Sequence, residues 1–407
     1  MIKKEQKKVI KKEVKIKETS KKDIKELKVS ENLIPAIYFG FRITEPREVV
    51  AEDIKLAKTL YKEKDFLHSQ LFPMEELIAN LRYFKERDED SMSPLLAINE
   101  GIPAGSHNKH RNKPGEELIN LHIIGVETSI AEALAIKTTE AILHENGYKN
   151  ICFKINDLGG KVAQNKFSKE GIAYFRKYIV NLTPDDRQLF KESLYHLITD
   201  SKNLEDELFQ NAPKPMDFLG DDTRKNLSEL LEFLEALGTT HEISGFLLGD
   251  PNYSSDTVFE VSDECTGKIL AYGTRYDSLA RKIGIRKDIP ALSVLIKVKK
   301  TKPASPKTLK KVKEPKLFLI QVGYTAKIKA LRIIDDLREA GIAVKHAIYR
   351  DKLSSQIIYA KKYPHDFDLI IGHKESIENS VIVRDSQGRS QRTVKIVDLV
   401  EHLKGLC

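Results

Sequence analysis

The sequence predicts an α+β chain in two parts: an antiparallel-sheet core split by a helical insertion, then a smaller α/β domain. Three observations predict it. The 407 residues exceed what one hydrophobic core usually organises, so two or three domains are expected. Strand-like segments flank a helical block at 162–240, giving strand–insert–strand order. Beyond a Pro-, Ser- and Lys-rich stretch at 299–316, strand and helix patterns alternate. Hydrophobic residues make up 41% and charged residues 31%, which favours a globular chain over a disordered one. No apolar run approaches the ~18–20 residues of a membrane span, and no apolar leader follows the lysine-rich start. A cytoplasmic protein without a membrane segment is expected.

The elements follow in order. Residues 1–30 read as a disordered Lys-rich tail, with too little apolar surface to offset the entropy of ordering. Helical spacing marks 49–62 and the segment after Pro73. Residues 93–101, 118–127 and 149–157 read as strands, with an amphipathic helix at 129–147 between the last two. Three helical patterns fill 162–240, the last opening on an Asp-Asp-Thr cap signal and ending at Gly238. Strands return at 242–248, 256–262, 268–272 and 290–298, many in antiparallel pairs. The expected domains are 31–298 and 317–407, with 299–316 as a basic linker. In the second domain, strands at 317–323 and 367–372 and IAVKHAIY alternate with helices, predicting a mostly parallel sheet before an alternating hairpin and a closing helix.

Charge is unevenly placed. The net charge is +8, while 1–28 alone carries +7 and 297–316 carries +8, which leaves −7 for everything else. Basic segments of this kind follow a phosphate backbone without reading sequence; a solvated tail is the plain alternative. The three cysteines, Cys152, Cys265 and Cys407, form no CxxC pair, so neither a metal site nor a disulfide framework is expected. His107 and His110 are read as surface-loop residues for want of a further ligand nearby.

The stretches LREAGIAVKH, KLSSQIIYAKKY and FDLIIGHKESIENSVIVRDSQG, with the closing helix, resemble the anticodon-binding domain of class II aminoacyl-tRNA synthetases. Residues 197–238, with DSK and AP…DFL in order, resemble the helical insertion of the histidine type. DTVFEV (256–261), TRYDSL (274–279) and LHIIGVE (121–127) resemble that family's GTVFE strand, GGRYDGL turn and FHQxGxE stretch. The resemblance is to the histidyl-tRNA synthetase family. It implies a class II antiparallel core with its helical insertion, tRNA as partner, histidine as ligand, ATP and Mg if ligase activity is retained, and a homodimer formed around Pro46.

The departures concern chemistry. GDPNYSSD stands where the family has RGLDYYTG, so Gly249 takes the place of the arginine that stabilises transition-state charge, and Ser254 replaces a tyrosine. PALSVLIKVKK replaces motif 3, placing Ser293, Lys297, Lys299 and Lys300 at two glycines, a glutamate and an arginine. Lysine keeps the charge and loses the planar fork. Arg111 is a remnant of motif 2, and Ile123 stands at the glutamine that meets histidine. Glu100, Glu127, Arg275, Tyr276 and Asp277 match substrate-pocket positions, and Arg338, Lys352, Gln356 and Lys361 match the RNA-facing side. The expectation is a catalytically impaired synthetase paralogue that binds tRNA or related RNA. Two alternatives stand beside it: an active, divergent histidine–tRNA ligase, and a histidine-sensing regulatory subunit of histidine biosynthesis.

Overall fold

The computed structural model describes residues 30–61, 72–87, 93–107, 114–300 and 315–406. All of the expected tail but Ser30, nearly all of the linker, His110 and Arg111 lie outside these residues. The core opens with α1 (Ile34–Tyr38), β1 (Arg42–Ile43), α2 (Ala51–Leu60), α3 (Met74–Glu86), β2 (Leu95–Glu100), β3 (Glu116–Ile124), α4 (Ile130–Glu145) and β4 (Ile151–Asp157). The insertion holds α5 (Lys161–Lys177), α6 (Pro184–Glu192), α7 (Leu194–Asp200), α8 (Glu207–Gln210) and α9 (Asp221–Leu237). Then come β5 (His241–Ile243), β6 (Ser255–Asp263), β7 (Ile269–Arg275), α10 (Leu279–Lys282) and β8 (Ala291–Lys299).

These strands form one sheet in the order β1-β2-β3-β8-β7-β6-β4-β5. Every inner pair is antiparallel, and only the edge pairs β1–β2 and β4–β5 are parallel. Period-two alternation divides the residues between two faces. Ile119, Leu121 and Ile123 of β3 join Leu292, Val294 and Ile296 of β8 in the core beneath α4 and α9. The intervening residues, Leu118 and Ile124 with Ala291 and Leu295, pack under α3, Tyr253 and Tyr276. Helix α4 is buried nearly all round, between the sheet and α9, and its buried Glu132 and Glu140 are paired with Arg275 and Lys137.

The insertion has a small core of its own, built on Phe167, Phe175, Leu194, Leu197 and Phe209. Gly220 is the N-cap of α9; Asp221 and Asp222 fall in its first turn, where their charge favours the helix dipole rather than capping it. Gly238 closes α9 in the left-handed conformation at φ 67°. Residues 244–248, expected to continue a strand, leave the sheet at Ser244 and turn back, with Leu247 N donating to Ser244 O at 3.2 Å. Leu248 thereby joins the insertion core. Cys265 lies exposed in the β6–β7 turn, not in a strand; Cys152 is buried in β4.

The C-terminal region contains β9 (Leu317–Gln321), α11 (Tyr324–Glu339), β10 (Val344–His346), α12 (Leu353–Ala360), β11 (Phe367–Ile371), α13 (His373–Glu378), β12 (Ser380–Asp385), β13 (Gln391–Lys395) and α14 (Ile396–Lys404). Its sheet order is β10-β9-β11-β12-β13. β9 pairs in parallel with β10 and β11, whereas β12 and β13 add antiparallel pairs, so the sheet is mixed rather than mostly parallel. Helix α11 seats this sheet on the core against α1 and α9. Lys137 bridges the contact, reaching Glu140 at 2.6 Å and Asp335 at 2.9 Å. No helix among the described residues is long and apolar enough to cross a membrane.

Candidate functional site

The face of the large sheet away from α4 carries polar side chains that other residues cover. Asn120 Nδ2 donates to Asn99 Oδ1 at 3.1 Å and to Gly101 O at 2.8 Å. His122 Nδ1 meets Ser293 Oγ at 2.7 Å, and Tyr276 OH meets the same oxygen at 2.9 Å. Thr274 Oγ1 donates to Ser254 Oγ at 2.9 Å. Phe72 lies over His122 with ring centroids 6.0 Å apart, and the fully buried Tyr253 donates to Phe72 O at 2.9 Å. Burial pushes His122 down to about 3, with Arg47 adding to the shift, so its imidazole is neutral near pH 7. The void beside Gly249 and Ser254 measures about 10 Å³, at the lower limit for one water.

On the opposite, α4-facing side of the sheet, at one end, sits a buried ion cluster. Arg275 donates through Nε to Glu132, through Nη1 to Asp277 Oδ2 at 3.0 Å, and through Nη2 to Val126 O at 3.1 Å. Burial alone would lower the Arg275 pKa; the Glu132 and Asp277 carboxylates more than reverse that. Asp277 also accepts from Ala291 N at 2.9 Å, and burial lifts its carboxyl to about 6 against the pull of Arg275. Asp157 stands at about 8, raised by burial and then by Asp256. It accepts from Gly159 N at 2.8 Å and Thr257 Oγ1 at 3.2 Å. Carboxyl groups therefore outnumber the single guanidinium here, and Asp157 keeps its proton instead.

Residues 316–406 match the family described as "Anticodon binding domain". The histidine–tRNA ligase of Caldicellulosiruptor saccharolyticus is 28% identical over 311 residues, 73% of this chain and 73% of that one. That of Fervidobacterium nodosum is 28% identical over 275 residues, 66% of this chain and 65% of that one. This chain is similar to histidyl-tRNA synthetases over 66–73% of its length. Among solved structures, the apo histidyl-tRNA synthetase of S. aureus aligns with a TM-score of 0.46 at 17% identity, covering 91% of this chain and 93% of that one. The smaller sheet thus belongs to an anticodon-binding-type α/β domain, and the larger is an antiparallel-dominated sheet interrupted by a helical insertion.

Within the family frame, the expected pocket residues do not converge. Glu127 is exposed in the loop after β3. Arg275, Tyr276 and Asp277 are tied to the sheet and to each other as described, and Arg275 and Tyr276 are buried. Glu100 lies at the opposite end of β2, paired with Ile119, whereas Arg275 shares its row with Leu292, Ile123 and Leu96. Four residues separate the rows, or ~13 Å along the strands at ~3.3 Å per residue. Glu100 is half-buried and raised to about 7, by burial first and by Glu117 in part, with Ser30 opposing. Its Oε1 has no hydrogen-bond partner among the described residues.

Gly249 is tightly enclosed. A Cβ there would overlap the Ser254 side chain and come within 3.1 Å of Val258 Cγ1. Lys300 is exposed just past β8, its backbone N on Gly115 O at 3.0 Å and its charge lowering the raised Glu117 pKa. Ile123 faces the α4 core, so it does not occupy the polar face that was expected of it; its neighbour His122 does. The reason is the strand period: a one-residue offset in matching moves a side chain to the other face. His107 sits beside Glu75, its ring 3.7 Å from that carboxylate.

The four residues expected to face RNA also divide. Lys352 and Lys361 are exposed at the two ends of α12. Arg338 instead faces the core, pairing with Asp335 at 2.9 Å and Glu145 at 3.5 Å beneath Phe39. Gln356 is fully buried and bonds the Gln321 backbone, accepting from its N at 3.0 Å and donating to its O at 2.6 Å. Sequence reasoning missed Asn99, Asn120, Thr274 and the position of Ser293 on this face. Alternating polar residues inside otherwise apolar strands were the available signal.

Proposed function

We propose that this chain is a catalytically silent histidyl-tRNA synthetase paralogue that binds tRNA through its C-terminal domain, with 31–298 and 317–407 as its two domains. The observation that carries the reading is the filled sheet face. Phe72, Tyr253 and Tyr276 cover the face that carries Ser254 and Ser293, two positions where the sequence departs from the family's ligand-binding motifs. Gly249 lacks room even for a Cβ, so the missing arginine has no substitute supplied from that loop. Losing one contact to a developing charge costs ~3–4 kcal/mol of transition-state stabilisation. Lys297 reaches the same face but bears on the half-buried Glu260. RNA contact falls to exposed cations such as Lys352 and Lys361.

Two measurements test this. Filter binding of tRNA over a salt series should show affinity falling steeply with salt; affinity no better than that of a basic control peptide sinks the RNA reading. Histidine-dependent ATP–pyrophosphate exchange should be absent with the purified chain, and clear exchange would establish the ligase alternative.

A further inference from the structure

A second concave site lies away from the filled face, where the two sheets meet. It measures about 210 Å³ and is bounded by Arg42, Arg87, Tyr349, Tyr359, Lys362 and Tyr363. That volume corresponds to about seven waters at ~30 Å³ each and falls below the ~300 Å³ of drug-sized pockets. Its lining is cationic and aromatic, with no carboxylate among the described lining residues.

The aromatic groups form a connected wall. Tyr359 and Tyr363 have centroids 5.1 Å apart and share a hydroxyl–hydroxyl hydrogen bond at 3.1 Å. Arg42 Nη2 donates to Tyr363 OH at 3.1 Å. Arg350 lies 5.2 Å over Tyr359, and its Nη2 donates to Ser93 Oγ at 3.2 Å. Lys345 lies 5.5 Å over Tyr363. Cations crowd the mouth: burial lowers the Arg87 pKa, and Arg42 and Arg47 lower it further by repulsion. An anion in this space would relieve that repulsion.

His346 supplies a polar reader on the inner wall. It is 6% exposed, lines the crevice, and neither ring nitrogen has a well-formed hydrogen bond among the described residues. Burial holds it at about 4, with Lys345 lowering it further and the Phe39 backbone opposing, so near pH 7 it offers one donor and one acceptor.

We infer that this crevice binds one nucleoside monophosphate unit, its base against the Tyr349–Tyr359–Tyr363 wall and its phosphate on Arg42, Arg87 and Lys362. Stacking surfaces beside a cationic groove are the chemistry that holds single nucleotides. The unit has two possible sources, a free mononucleotide or an unstacked residue of RNA. The site is separate from the filled sheet face and does not depend on whether that face is catalytic.

The test uses the full chain. Calorimetric titrations compare AMP, UMP, adenosine and inorganic phosphate, and a single-stranded RNA oligonucleotide is then competed with AMP. Monophosphates should bind at least tenfold tighter than adenosine or inorganic phosphate. Lys362→Ala and Arg42→Gln, both at exposed positions that leave packing intact, should each weaken AMP binding about tenfold or more, as expected for a charge-assisted contact. RNA displaced by AMP assigns the site to a residue of RNA; AMP binding that RNA leaves unaffected assigns it to free nucleotide; each supports the inference. No monophosphate binding, inorganic phosphate binding as well as AMP, or unchanged affinity in both variants overturns it.

Discussion

The large sheet and the interdomain crevice treat charge in opposite ways. On the sheet, Arg275 meets Glu132, Asp277 and the Val126 carbonyl, and its charge is spent inside the protein. In the crevice, Arg42, Arg87 and Lys362 border open space with aromatic walls. The histidines differ in the same way: His122 is engaged by Ser293, while His346 is equally buried without a well-formed bond. Saturated polar groups rigidify a fold, whereas unsatisfied ones beside a cavity mark where a ligand completes the network. The difference teaches that retained family residues are no guide to where a ligand site survives.

The comparison breaks most directly at Glu132. Glu132→Ala leaves Arg275 short of its strongest buried partner and should lower stability by about 3–5 kcal/mol, read as a fall in the urea midpoint; a loss under about 1 kcal/mol would show that the cluster is not a saturated unit. Gly249→Arg comes next. It should cost roughly 1–3 kcal/mol through overpacking and restore no ATP–pyrophosphate exchange, because Ser254 occupies the space. Recovered exchange would mean that the face opens in solution.

Titration gives a third effect, read against pH. Asp157 holds its proton up to about pH 8 in the folded chain, against ~3.9 when unfolded. The native state therefore binds more protons across that interval, and stability falls as pH rises from about 4 to 8. Asp157→Asn should flatten this slope in unfolding measurements; an unchanged slope would place the titration elsewhere. Lys300→Ala should do least. Its side chain is exposed, so stability should stay within about 0.5 kcal/mol, and a larger loss in thermal unfolding would reveal a structural role that the strand-end position does not suggest.

Much of the fold was legible because hydrophobic period and punctuation are local. The helices at 130–145 and 221–237, the Gly238 stop and the strand–helix alternation after 317 follow from spacing alone. The 244–248 turn was not legible, since its apolar residues read equally as strand or as cover for a neighbouring core. Arg338 and Gln356 were polar residues on amphipathic helices, and nothing local distinguishes a surface side chain from one that bonds the other domain, as Arg338 does, or a neighbouring strand, as Gln356 does.

By itself the sequence determined the order of elements, the unequal placement of charge, and the presence of Gly249 and Lys300 where the resemblance implies arginines. Only the tertiary structure decided that Ile123 faces the core while His122 faces the polar side, that Glu100 and Arg275 stand at opposite ends of one sheet, and that residues near 42, 87 and 360 wall a common crevice. The reason is physical. Strand register, sheet order and domain docking are fixed by long-range pairing and burial, and those contacts leave no periodic trace along the chain.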